Sequence, residues 1–96
     1  MATNVLIKSK SDMSRDQLAD LLESFAAKIR TGQMTLGDGA GNVDITLPET
    51  LRVETEVKDS VKPTRTTREL EIEIEWRVDA RGEPAESQRR GGLTIG

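Results

Sequence analysis

Residues 69–78 read Glu-Leu-Glu-Ile-Glu-Ile-Glu-Trp-Arg-Val, an unbroken alternation of charged and apolar side chains. Successive side chains of an extended strand point to opposite faces. A strand therefore sorts Leu70, Ile72, Ile74, Trp76 and Val78 to one side and Glu69, Glu71, Glu73, Glu75 and Arg77 to the other. A helix would scatter the same acids around its cylinder. The segment is predicted to be a strand, and its apolar face needs an element to lie against.

A helix is the natural partner, and the chain encodes one. Ser14-Arg15-Asp16-Gln17 has the spacing of a capping box, in which Ser and Gln side chains answer the unpartnered backbone N–H groups of the first turn. Met13 and Leu18 stand at the spacing of a hydrophobic staple. Leu18, Leu21, Leu22, Phe25, Ala26 and Ile29 then recur at helical intervals and form one apolar stripe. Asp16 in the first turn and Lys28 and Arg30 in the last suit the helix dipole. Gly32 supplies a left-handed stop. A helix over 15–30 is predicted.

The remaining segments follow period two. Asn4 to Lys8 reads as a short first strand. Met34 and Leu36, then Val43, Ile45 and Leu47, flank Asp38-Gly39-Ala40-Gly41-Asn42, so 33–47 is predicted to be a hairpin. Leu51, Val53, Thr55 and Val57 alternate with Arg52, Glu54, Glu56 and Lys58, which gives a further strand. The polar stretch Asp59 to Thr67, with Pro63 in it, is expected to be a loop. Residues 80–96 carry too little apolar surface to offset the entropy of ordering and are expected to be a disordered tail.

Together these elements predict an α+β fold in order β-α-β-β-β-β. Two layers are expected, one amphipathic helix on a mostly antiparallel sheet of about five strands, with the other sheet face open to water. Ninety-six residues accommodate one hydrophobic core, assigned to 1–79, followed by the tail.

Composition removes most chemistries. The chain has no cysteine and no histidine. Thiolate zinc sites, iron–sulfur clusters, disulfides and cysteine nucleophiles are excluded, together with the commonest general base. No enzyme activity, metal or cofactor is expected. With 14 basic and 17 acidic residues the net charge is −3, which argues against duplex nucleic acid. Val5-Leu6-Ile7 is too short for a signal-peptide core, and nothing approaches membrane-spanning length, so a cytoplasmic location is expected.

The order strand, S-R-x-x-L-A-x-L-L helix, hairpin ending Leu47-Pro48, charged strand and E-L-E-I-E-I-E-W resembles the Amphi-Trp domain. This is a small prokaryotic domain named for an amphipathic strand that closes on a tryptophan. The resemblance rests on Ser14, Arg15, Leu18, Leu21, Leu22, Leu47-Pro48 and Glu69 through Trp76, and covers about residues 4–78. It implies the α+β fold and carries over no catalytic residues. The segment after Val78 departs from the family pattern.

Two surfaces are candidates for binding. One is the charged sheet face with Arg52, Glu54, Glu71, Glu73 and Glu75, suited to docking a protein partner or a second copy. Alternate residues of one strand stand about 6.5–7 Å apart, too far for neighbouring carboxylates to grip one small metal ion. Solvated cross-strand pairs with Arg52, Lys58 or Arg68 are the plainer account. The other candidate is the basic group Lys58, Lys62, Arg65 and Arg68 around Pro63, which with Arg89 and Arg90 offers an accessory nucleic-acid surface. Nearby acids and the lack of tyrosine weaken it. Trp76 is expected to close the end of the core. The glycines at 37–41 lead into a strand, not a helix, which makes them a turn rather than a phosphate loop.

Overall fold

A computed structural model describes residues 2–85 and 94–96. The chain divides into two units, Met1–Leu47 and Pro48–Gly96.

The first unit is built on helix α1, Arg15–Thr31. Its start follows the capping logic closely. The Gln17 N–H donates to Ser14 Oγ (3.1 Å), and the Ser14 N–H donates back to Gln17 Oε1 (2.9 Å). The helix stops at Gly32, whose φ of 79° lies in the left-handed region, with its N–H on the carbonyls of Lys28 and Ile29. Strands β1 (Gln33–Gly37) and β2 (Asn42–Thr46) follow as an antiparallel hairpin. Its register sets Met34 opposite Ile45 and Leu36 opposite Val43, so one face is apolar. On the other face Thr35 Oγ1 donates to Asp44 Oδ1 across the ladder (2.7 Å). Helix α1 packs against β1, and the Leu47 N–H donates to the Gly32 carbonyl (2.8 Å), which ties the end of the hairpin to the helix terminus. In the turn, Asp38 Oδ1 accepts the N–H groups of Ala40 and Gly41 at 2.9 and 3.0 Å. These bonds, with one from the Lys8 N–H, hold the Asp38 carboxyl below its ordinary value.

The second unit is dominated by one long antiparallel hairpin, β3 (Arg52–Lys62) and β4 (Arg65–Glu75), turned by Pro63 and Thr64. A short ladder of β5 (Arg77–Val78) and β6 (Pro84–Ala85) follows Trp76. Its turn is organised by Asp79, whose Oδ1 accepts from the N–H groups of Arg81 and Glu83.

The α+β class holds, and several finer expectations are corrected. Residues 4–8 form no strand; 2–14 carry no regular secondary structure. The apolar run there is three residues long, and no neighbouring strand pairs with it. Among the described residues the strands form three separate two-stranded ladders, β1–β2, β3–β4 and β5–β6, instead of one five-stranded sheet. The stretch 59–67 is no loop but the distal half of the long hairpin. Its β-branched Val61, Thr66 and Thr67 suit extended backbone. Pro63 sits in the turn, where its fixed φ helps and its missing N–H costs nothing. The expected tail begins too early, because 84–85 pair with 77–78; residues 86–93 lie outside those described.

No side chain among the described residues is fully buried. Phe25, Ile29, Met34, Leu36, Val43, Ile45 and Trp76 reach half-burial.

Candidate interaction site

The register of β3–β4 assigns every residue of the long hairpin to a face. Arg52 opposes Glu75, Glu54 opposes Glu73, Glu56 opposes Glu71 and Lys58 opposes Glu69. On the reverse side Val53 opposes Ile74, Thr55 opposes Ile72 and Val57 opposes Leu70. The alternation visible in residues 69–78 is thus matched by β3, and the hairpin is an amphipathic ribbon.

All five sheet-face candidates, Arg52, Glu54, Glu71, Glu73 and Glu75, share the charged side. Arg52 bridges two of them, with Nη2 at 2.7 Å from Glu54 and Nε at 3.4 Å from Glu75. Glu54 and Glu73 stand directly opposite each other, as do Glu56 and Glu71. Like charges in such positions repel. They border a shallow, open depression of about 270 Å³ lined by Glu54, Thr55, Glu56, Glu71 and Glu73. No group of three or more metal-ligating side chains among the described residues is placed to hold a cation. The face presents a row of carboxylates that is open to solvent.

Glu56 and Glu69 share this surface although neither was among the sheet-face candidates. Period two already put each on the charged side of its strand, and the cross-strand register sets Glu56 against Glu71 and Glu69 against Lys58.

The basic candidates are divided between the two faces. Lys58 belongs to the acidic side, with Nζ at 3.3 Å from Glu71 and 3.7 Å from Glu56. The hydrogen bond and charge of Glu71, and then the charges of Glu69 and Glu56, hold its ammonium above the ordinary lysine value. Arg68 lies on the opposite side, where Nε and Nη2 donate to Asp59 Oδ1 and Oδ2 at 2.7 and 2.9 Å. This fork pushes Asp59 down and Arg68 up. Lys62 and Arg65 face each other beside the turn. The structure therefore gathers only Lys62 and Arg65 at the hairpin tip and engages Lys58 and Arg68 with acids.

The apolar side is the larger surprise. Val57 is 66% exposed, Leu70 68%, Ile72 54% and Ile74 42%. These residues were expected to form the core.

No helix among the described residues is long and apolar enough to cross a membrane. No curated protein and no solved structure shows detectable similarity to the chain. The family comparison does find a match, and it extends past Val78 to include the segment that was expected to stand apart from the pattern. The Amphi-Trp domain matches residues 1–96, and the chain belongs to that family.

Proposed function

We propose that the protein is a small, non-enzymatic association module that works through the β3–β4 ribbon. The observation that carries this reading is the exposed apolar side of Val53, Val57, Leu70, Ile72 and Ile74. A two-stranded hairpin alone is marginal in water; independent stability needs further strands or a covering element. Full burial of an aliphatic side chain of this size contributes about 1.5–3 kcal/mol relative to exposure, so covering several half-exposed ones is a substantial driving force. The occupant is a second copy or a protein partner, and the acidic side selects against anionic ones. A cytoplasmic setting is part of the same proposal.

Against the accessory nucleic-acid reading stand the ion pairs of Lys58 and Arg68, which leave Lys62 and Arg65 as the members of the 58–68 basic group outside such pairs among the described residues; Arg89 and Arg90 lie outside the described residues.

The test is a photo-crosslinking side chain at Ile72 of the full chain, in cells, with the same probe at Asp20 on the helix as reference. Protein adducts at Ile72 in excess of those at Asp20 are expected, whether to the same chain or to another. Equal or absent adducts would overturn the association reading.

A further inference from the structure

Each strand of the long hairpin has one free edge, because β3 and β4 pair only with each other among the described residues. Such edges invite further strands. The two differ sharply in what they accept.

The two-residue turn closes on Lys62 opposite Arg65. A ladder that begins at such a pair has its even-numbered β3 residues exchanging hydrogen bonds with β4. The main-chain N–H and C=O groups of Val53, Thr55, Val57, Asp59 and Val61 therefore point to the free edge. A new strand must be in register with those residues.

Strand β3 is close to self-complementary about Val57. Its valines stand at 53, 57 and 61, symmetric about the centre. Glu56 and Lys58 flank that centre with opposite charge. Antiparallel pairing of β3 with β3 of a second copy sets Val57 opposite Val57, Val53 opposite Val61 and Glu56 opposite Lys58. Thr55 then opposes Asp59, the same residue pair that Thr35 and Asp44 form across β1–β2, where the hydroxyl donates to the carboxylate at 2.7 Å. Only the ends, Arg52 against Lys62, bring like charges together.

Neighbouring registers are worse. A shift of two residues one way sets Lys58 against Lys58; the other way sets Glu56 against Glu56. Strand β4 has no comparable solution, because full-length antiparallel self-pairing sets Glu69 against Glu71 twice. Odd shifts turn the apolar side to the acidic face and are excluded.

We propose that two copies of the chain join through β3, antiparallel and centred on Val57, into a four-stranded sheet β4–β3–β3–β4 with two-fold symmetry. This deepens the association reading and rests on it. The joint adds about ten main-chain hydrogen bonds. It also takes the ribbon beyond the two strands that are marginal alone. The two-fold axis runs perpendicular to the sheet, so the two apolar sides merge into one surface and the two acidic sides into another.

The full chain is measured by light scattering over a dilution series, with single-cysteine variants of a chain that has no cysteine of its own. The mass is expected to rise from 10.6 kDa to twice that value. Under mild oxidation Val57→Cys yields a covalent dimer, since paired Cα atoms about 5.5 Å apart lie within disulfide range. Val61→Cys does not, because each Val61 opposes a Val53. Glu56→Lys and Lys58→Glu each weaken the dimer about tenfold, the pair occurring twice by symmetry, and the double exchange restores it. A dimer that crosslinks at Val61, or at neither position, would overturn the β3 pairing while leaving the association reading intact. A single 10.6 kDa mass throughout would overturn it as well, and the Ile72 adducts then decide separately whether another protein covers the ribbon.

Discussion

Replacing Glu73 by lysine is expected to stabilise the protein, because the register sets Glu73 directly opposite Glu54. In a hydrogen-bonded antiparallel pair the Cα atoms are about 5.5 Å apart, which places the two charges roughly 6 Å from each other. At that distance two unit charges interact by about 0.7 kcal/mol in water. Reversing one charge exchanges repulsion for attraction, a swing of about 1.4 kcal/mol at low ionic strength. At physiological salt the Debye length of about 8 Å reduces this by roughly half. For a chain of this size 1 kcal/mol moves the thermal midpoint by about 4–8 °C, so Glu73→Lys gains about 6–11 °C at low salt and about half that at physiological salt. The assay is thermal unfolding by far-UV circular dichroism at two ionic strengths and fixed protein concentration. Asp12→Lys, outside any helix or strand, controls for net charge. An unchanged or lowered midpoint, or a gain that ignores salt, would refute the opposed-carboxylate geometry.

Removing the helix cap with Ser14→Ala deletes the acceptor for the Gln17 N–H and is expected to cost about 1 kcal/mol, read as lost helical signal and a lower denaturant midpoint. Gly32→Ala forces a side chain into the left-handed region at φ 79° and is expected to cost about 1–2 kcal/mol by the same measurement. On the acid side, Asp38 and Asp59 have folded pKa values below their ordinary ones. Their stabilisation is complete above the unfolded carboxylate value of about 3.9 and is lost as pH falls through the lower folded values. A pH series on Asp59→Asn should show a shallower acid loss than the parent. On the alkaline side, the raised Lys58 contributes fully below its unfolded value of about 10.5 and loses that contribution as pH rises through the folded one. Lys58→Met should flatten this limb of the midpoint curve.

The helix was legible residue by residue, because Ser14, Gln17, the apolar stripe and Gly32 all act within one or two turns of each other. The hairpin at 33–47 was legible for a similar reason, with alternating arms around a turn rich in glycine. The distal half of β3–β4 was misread as a loop. Polarity marks a loop only where strands are buried, and in a ribbon exposed on both faces the polar residues Asp59, Ser60, Thr67 and Arg68 pair across the ladder instead. Residues 80–85 were misread for a related reason: the Asp79 carboxylate organises that turn through backbone N–H groups rather than through apolar contact.

The candidate surface divides along the same line. That Glu71, Glu73 and Glu75 share a face follows from period two alone. Which residue meets which does not. The opposition of Glu54 to Glu73, the drawing of Lys58 into the acidic side and the capture of Arg68 by Asp59 on the other depend on a register that the Pro63–Thr64 turn sets.

Local pattern was enough to specify the helix and its stops, the amphipathic character of every long strand and the absence of cysteine and histidine chemistry. Those properties depend on neighbours three or four positions away, or on composition. Strand pairing, and with it the division into two-stranded ladders and the exposure of the apolar ribbon, was settled only in three dimensions. An alternating strand states that one side avoids water, but not what will cover it, since the hydrophobic effect rewards removal of apolar area and is indifferent to the partner that removes it.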